Sequence, residues 1–206
     1  MNRNPAEKIR SLSAAVEWRE SLRKSGRKLV ITNGCFDILH RGHAEYLYES
    51  RALGDALLIL INSDRAVQEL KGPTRPIIPE EHRAYMIGAL ESVDAVVVFD
   101  SQRCDKELRA LSPDIYVKGG DYTLDKLDAS ERAALLESGA EIVFKPFIEA
   151  FPRPILSTVL NRRYNVAGCL APCIGEPLMS GVGWVDTVNE PVTSRSLLFG
   201  VVKPLG

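Results

Sequence analysis

Short apolar runs that alternate with helix-like segments constrain the fold of this chain more than any other feature. Strands that are apolar on both faces are typical of a parallel sheet covered by helices on each side. The predicted strands are residues 28–32, 56–61, 95–99, 115–118 and 141–145, and the predicted helices are residues 6–24, 43–53, 63–70, 80–90, 104–111 and 124–138. The sequence therefore predicts a doubly wound α/β fold, with a parallel sheet of about five strands.

The chain divides into three parts by composition and periodicity. Residues 1–26 are expected to form a helical extension, and residues 27–163 carry the strand–helix alternation of the α/β domain. Residues 164–206 contain few charges, have Gly and Pro throughout, and show no sustained period. We expect this tail to be irregular, either loosely ordered or in contact with a partner.

Composition excludes several function classes. The 206 residues include 26 Lys and Arg against 27 Asp and Glu, so no broad basic surface for nucleic acid is expected. No apolar run approaches membrane-spanning length, and the N-terminal residues lack the apolar core of a signal peptide. The four cysteines do not have zinc-site spacing. These features predict a cytoplasmic protein with reduced thiols and no metal held by the chain itself.

Residues 32–43 read Thr-Asn-Gly-Cys-Phe-Asp-Ile-Leu-His-Arg-Gly-His and join the first predicted strand to the next helix. The run contains His40 and His43, with Gly42 between them. A helix N-terminus offers free N–H groups and the positive end of the helix dipole, which suit phosphate. Glycines and two imidazoles at such a turn predict a phosphate-binding site.

This run resembles the Gly-x-Phe-Asp…His-x-Gly-His motif of the cytidylyltransferase-like nucleotidyltransferases, which have a Rossmann-like fold. These enzymes join a nucleoside triphosphate to a phosphorylated small molecule and release pyrophosphate. The resemblance implies that His40 and His43 stabilise the transition state and that Asp37 contacts the substrate. It implies nucleotide contacts from Asn33, Gly34, Cys35, Phe36 and Gly42.

Three further segments supply candidate site residues. Lys71 stands in a predicted Gly/Pro loop, residues 71–76, from which it could clamp a phosphate, and Arg75 of that loop could contact the sugar phosphate. The resemblance strengthens the assignment of Lys71 as a catalytic residue, and it places Arg83 near the acceptor phosphate. For His82 we favour a position in the first turn of a helix without a functional role.

Residues 117–122 read Val-Lys-Gly-Gly-Asp-Tyr and follow the fourth predicted strand. Gly119 and Gly120 would allow a ligand to approach the backbone closely. Asp121 could accept hydrogen bonds from a ribose or sugar hydroxyl, and we expect Lys118 to contact the substrate.

Several stretches resemble one branch of the family, the adenylyltransferases that act on D-glycero-β-D-manno-heptose 1-phosphate. They are residues 32–37, 62–64, 70–76 and 117–122. The resemblance implies transfer of AMP from ATP to give ADP-heptose and pyrophosphate, with Mg²⁺ as cofactor, for lipopolysaccharide core synthesis. In that branch the domain is often fused to a sugar kinase, whereas here we expect a stand-alone form. A homodimer is common among such relatives.

One expected motif is displaced. The branch has a glycine-aromatic-Ser-Thr-Thr stretch after the fifth strand, where it opens a helix and binds the triphosphate. Here a single pair, Ser157 and Thr158, follows two prolines several residues late. We assign the pair to nucleotide binding, with an unrelated helix cap as the alternative reading.

Two other functions stay open at this point. A cytidylyltransferase could use CTP with a phosphorylated polyol or amino alcohol, and no named residue reads the base. Alternatively, loss of the Ser-Thr-Thr stretch could leave a catalytically weak nucleotide-binding protein. The residues His40, His43 and Lys71 favour an enzyme over this last reading.

Overall fold

A computed structural model describes residues 4–120 and 122–146 of the chain. Its centre is a parallel sheet of five strands in the order β3-β2-β1-β4-β5. The strands are β1 (Leu29–Gly34), β2 (Ala56–Asn62), β3 (Ala95–Phe99), β4 (Ile115–Gly119) and β5 (Glu141–Lys145). This architecture confirms the predicted doubly wound α/β fold.

Helices connect successive strands and cover both faces of the sheet. They are α1 (Leu12–Lys24), α2 (Arg41–Arg51), α3 (Asp64–Lys71), α4 (Glu80–Gly88), α5 (Asp105–Leu111) and α6 (Ala129–Ser138). Within residues 4–120 and 122–146, no helix has the length and apolar character needed to cross a bilayer.

The two faces of the sheet belong to separate apolar clusters because side chains alternate along each strand. Leu29 and Ile31 of β1 pack into the cluster that includes α1, α5 and α6. Val30 points to the opposite face, where α2 and α4 supply Leu47, Ala84 and Ile87. All seven residues of β2 are buried, as expected for a strand covered on both sides.

Two predicted helices are interrupted. The predicted 6–24 helix divides into a 3-10 helix, Pro5–Lys8, and α1. Between them Ile9 forms a parallel bridge with Val96 of β3, so the chain must be extended at that point. The predicted 124–138 helix likewise divides into a 3-10 turn, Leu124–Lys126, and α6. Asp128 caps α6 by accepting a hydrogen bond from Ser130 N.

The prediction that Lys71 belongs to a loop is wrong. Helix α3 ends at Lys71, and the residue that caps it is Gly72, whose φ of +93° suits glycine. Ser63 caps the start of α3, as expected, by accepting a hydrogen bond from Ala66 N.

Several sequence predictions lie outside the described residues. They concern Asp121, the pair Ser157 and Thr158, the domain boundary at residue 163, and the tail 164–206.

Candidate active site

A pocket of about 240 Å³ opens at the carboxyl ends of β1 and β4. The strand order reverses here, because β2 and β3 extend to one side of β1 while β4 and β5 extend to the other. Open α/β sheets bind ligands at such a switch point. The pocket is lined by Asn33, Gly34, Cys35, Phe36, Asp37, His40, Gly42, His43, Tyr46, Asn62, Leu70, Lys71, Gln102, Arg103, Lys118, Gly119, Tyr122, Glu131 and Pro146.

His40 and His43 stand together at the N-terminus of α2. His40 is the residue that precedes the helix, with extended backbone angles, and His43 lies in the first turn. Their rings stack with centroids 3.9 Å apart and planes inclined by 27°. The structure therefore brings the two imidazoles predicted from the sequence into one unit.

Both imidazoles are held in their neutral form. Burial, the neighbouring His40 and the positive charge of Lys71 lower the pKa of His43 to about 3. Burial also lowers the pKa of His40. A neutral imidazole has one N–H donor and one acceptor nitrogen. An anionic phosphate in the pocket would raise both pKa values, because an opposite charge favours the protonated ring.

Phe36 adopts a backbone conformation that is rare for a bulky residue. Its φ is +46°, in the left-handed region, and such a residue persists only where its surroundings hold it in place. The ring meets His43 edge-on at a centroid distance of 5.3 Å. It also lies 3.0 Å from the position that a Cβ on Gly34 would occupy. Glycine at residue 34 thus leaves room for the ring that packs against His43.

Lys71 lines the pocket from the last turn of α3. Its positive charge is near enough to lower the pKa of His43, so the cation and the imidazole pair share one space. The structure therefore groups the three predicted catalytic residues, His40, His43 and Lys71.

Asp37, which lines the pocket, forms a buried ion pair with Arg75. Their side chains are 0% and 2% exposed, and Arg75 Nη1 lies 3.0 Å from Asp37 Oδ2. Asp37 Oδ1 accepts hydrogen bonds from Ile77 N at 2.8 Å and Ile78 N at 3.0 Å. Asp37 thereby fastens the segment that follows Lys71 to the histidine turn, a role that the sequence did not indicate.

Arg75 and Arg83 do not line the pocket, so its wall gives no support to the substrate contacts predicted for them. Arg83 is 1% exposed. It donates hydrogen bonds to Ile78 O, to Cys35 O and to Asp64 Oδ1, at 2.8, 2.6 and 2.7 Å respectively. All three guanidinium nitrogens are thus used inside the protein, and Arg83 holds the motif turn by its Cys35 carbonyl.

Asn33 and Lys118 face the pocket from β1 and β4. Asn33 Oδ1 accepts hydrogen bonds from Lys118 Nζ and from the hydroxyl of Tyr116, both at 2.8 Å. Gly119 lies against the ring of Tyr46, which is 3.1 Å from the position of a Cβ on that glycine. Gly120, with a φ of +113°, turns the chain but is not part of the pocket wall.

Sequence reasoning missed several residues of the pocket wall as site residues. They are Tyr46, Asn62, Leu70, Gln102, Arg103, Tyr122, Glu131 and Pro146. Asn62 and Gln102 could have been found, because each follows or ends a predicted strand on the side of the sheet that carries the ligand. Glu131 could not, since it reaches the pocket from the first turn of α6.

Two imidazoles and a lysine at the switch point of a parallel sheet form a site suited to phosphate and to reactions at phosphorus. The family model "Cytidylyltransferase-like" matches residues 31–163, and the chain belongs to this family. Membership confirms the expected class of enzyme, a nucleotidyltransferase.

Similar proteins narrow the comparison within the family. The chain is 48% identical over 128 residues to bifunctional protein HldE of Methylococcus capsulatus, covering 62% of this chain and 27% of that protein. It is 39% identical over 158 residues to bifunctional protein HldE of Koribacter versatilis, covering 73% and 32%. The chain thus spans about a quarter to a third of the length of these relatives.

A solved structure shows the same fold. The lipopolysaccharide core biosynthesis protein of Thermoplasma volcanium is 30% identical, with a TM-score of 0.50. The match covers 62% of this chain and all of that one.

Proposed function

We propose that this chain transfers AMP from ATP to D-glycero-β-D-manno-heptose 1-phosphate, yielding ADP-heptose and pyrophosphate for lipopolysaccharide core synthesis. The likeness to HldE proteins and to a lipopolysaccharide core biosynthesis protein supports this choice of pathway. The observation that carries the chemistry is the stacked pair His40 and His43 beside Lys71 in one pocket.

The reaction needs alignment and charge stabilisation more than covalent help from the protein. A phosphate oxygen of the sugar attacks the α-phosphorus of ATP, the new P–O bond forms, and the bond to the β-phosphate oxygen breaks. Pyrophosphate leaves with the electron pair of that bond. The N–H groups of His40 and His43 would donate to the phosphate oxygens, and Lys71 would offset the developing negative charge.

Mg²⁺ is the proposed cofactor and would enter with ATP. Within residues 4–120 and 122–146, no three His, Cys, Asp or Glu side chains are grouped as a metal site. Mg²⁺ usually keeps several waters and binds substrate phosphates rather than a cage made wholly of protein ligands, so the triphosphate itself would supply its main ligands. When bound, the ion supplies charge neutralisation on the triphosphate.

The test is an assay of pyrophosphate release by the full chain. The purified protein is incubated with Mg²⁺, each nucleoside triphosphate in turn, and heptose 1-phosphate, with a phosphorylated polyol as the competing acceptor. Release that requires both ATP and heptose 1-phosphate supports the proposal. Release only with CTP and another acceptor would contradict it, and ATP binding without release in any mixture would favour a catalytically weak nucleotide-binding protein.

A further inference from the structure

The pocket wall contains a second polar group, which is built around Glu131. This residue is 3% exposed, yet its side chain lines the pocket. Its Oε1 atom accepts hydrogen bonds from Cys104 N at 3.2 Å, Cys104 Sγ at 3.3 Å and Asn33 Nδ2 at 3.5 Å. Three donors therefore fix one carboxylate oxygen and set the orientation of the whole group.

The side chains of Cys104 and Tyr116, near Glu131, keep their protons and act as hydrogen-bond donors. Burial and then the Glu131 charge raise the pKa of the Cys104 thiol well above its usual value, so the thiol keeps its proton. Burial likewise raises the pKa of Tyr116 well above its usual value, and its hydroxyl donates to Asn33 Oδ1. Because Asn33 Oδ1 accepts from both Tyr116 and Lys118, the Asn33 amide nitrogen must face Glu131.

Two hydrogen-bonding positions of this group are left for a ligand. No hydrogen bond to Glu131 Oε2 comes from residues 4–120 or 122–146. Lys118 Nζ has three N–H donors, and within the same residues it uses two, toward Asn33 Oδ1 and the Tyr116 hydroxyl. A carboxylate oxygen in a pocket wall can accept a hydrogen bond from a donor group of the ligand, and a lysine ammonium can donate one to it.

A hydroxyl matches both positions, whereas a phosphate does not. Its O–H can donate to Glu131 Oε2, and a neighbouring hydroxyl oxygen can accept from Lys118 Nζ. A phosphate against Glu131 would meet its negative charge, whereas His40, His43 and Lys71 offer hydrogen-bond donors and a positive charge in the same pocket wall. The pocket wall thus has one group of residues that suits phosphate and, around Glu131, a second group that suits neutral hydroxyls.

The geometry points to a vicinal-diol subsite formed by Glu131, Lys118 and Asn33, in which Glu131 is a specificity-determining residue. This inference rests on the proposed function, since both ATP and a heptose phosphate carry vicinal diols. The shared chemistry has two sources in the reaction, the ribose of the nucleotide and the ring of the acceptor sugar. The subsite would anchor one of them while its phosphate lies at the histidines.

Binding measurements test whether the ribose of the nucleotide occupies the diol subsite, and they do so without relying on enzymatic activity. The dissociation constants of ATP, 2′-deoxy-ATP and 3′-deoxy-ATP are measured by calorimetry for the wild type and for Glu131→Gln. If the ribose occupies the subsite, the wild type binds at least one deoxynucleotide about tenfold or more weaker than ATP, and Glu131→Gln removes that preference. This readout needs no turnover, so it stands even if pyrophosphate release fails.

Steady-state kinetics test whether the ring of the acceptor sugar occupies the diol subsite instead. If the sugar occupies the subsite, Glu131→Gln raises the KM for heptose 1-phosphate about tenfold or more and leaves the affinity for ATP unchanged. Deoxynucleotide discrimination and acceptor KM both unaltered in Glu131→Gln would overturn the diol subsite, although adenylyl transfer could still be intact. Failure of ATP, the deoxynucleotides and heptose 1-phosphate to bind would overturn it as well.

Two further variants serve as a control and as a second test of the subsite. Glu137→Gln changes a carboxylate on the same helix, one that is 59% exposed and pairs with Arg109, and should behave as the wild type. If Glu131→Gln fails to fold, Lys118→Met replaces the other ligand-facing group on a half-buried side chain. The same loss of hydroxyl discrimination is expected from Lys118→Met, and retained discrimination in that variant would contradict the subsite.

Discussion

The imidazoles of His40 and His43 stack with their ring centroids 3.9 Å apart. Two protonated rings at that distance would repel each other, which agrees with the contribution of His40 to the lowered pKa of His43. The two imidazoles are therefore neutral, and a negatively charged ligand would raise their affinity for protons. Binding of an anionic ligand at the turn would therefore be coupled to the protonation of the two imidazoles.

Replacing His43 with Ala should lower kcat about 100-fold or more, because a donor aimed at the developing phosphate charge is lost. The fold should be kept, since His43 is only partly buried. The measurement is pyrophosphate release together with circular dichroism. His82→Ala is the matched control, because His82 is 66% exposed on α4, and near-normal turnover of His43→Ala would refute the role of His43.

Stability should fall as the pH is lowered from neutrality. His43 has a pKa of about 3 in the folded protein and near 6.5 in the unfolded chain. Between these values the unfolded chain binds the proton that the folded state excludes, so the free energy of unfolding decreases as the pH drops below about 6.5. The burial of His40 acts in the same direction.

The loss attributable to His43 should be about 1 kcal/mol at a pH near 5, after allowance for its partial contact with solvent. Urea denaturation at neutral pH and near pH 5 measures it. His43→Gln should reduce the pH dependence and His82→Gln should not. An equal pH dependence in wild type and His43→Gln would show that the imidazole is not held neutral.

Much of the site could be predicted because short-range patterns determine it. The apolar runs fixed the five strands, and the histidines had to follow β1 at a helix N-terminus. Arg75 and Arg83 show where such reasoning ends. A charged side chain near a phosphate motif is expected to face the ligand, yet the side chains of Arg75 and Arg83 are buried. Arg75 pairs with Asp37, and Arg83 donates hydrogen bonds to the carbonyls of Cys35 and Ile78. The contacts of Arg75 with Asp37 and of Arg83 with Cys35 join residues 38 and 48 positions apart, and no local pattern reports them.

The buried pair Asp37 and Arg75 should show strong non-additivity. Asp37→Asn alone leaves the buried positive charge of Arg75 without a partner, and Arg75→Met alone leaves the buried carboxylate of Asp37 without one. Each single substitution should lower the free energy of unfolding by about 3 kcal/mol. The double variant should be less destabilised than the sum of the two, because neither charge is then buried alone. Denaturant titration of the four proteins gives the coupling free energy, and additive losses would show that the two side chains do not interact.

Arg83→Met should destabilise the protein by about 3 kcal/mol without a direct effect on ligand contacts. Methionine keeps the apolar volume of the side chain, but Cys35 O, Ile78 O and Asp64 Oδ1 each lose their donor. Arg23→Met is the control, since Arg23 is 48% exposed and pairs with Glu20 on α1, and it should change stability by less than about 1 kcal/mol. If Arg83 instead binds the acceptor phosphate, its replacement would raise the KM for heptose 1-phosphate at nearly unchanged stability. Denaturation and steady-state kinetics on the same preparations therefore decide between a structural arginine and a substrate-binding one.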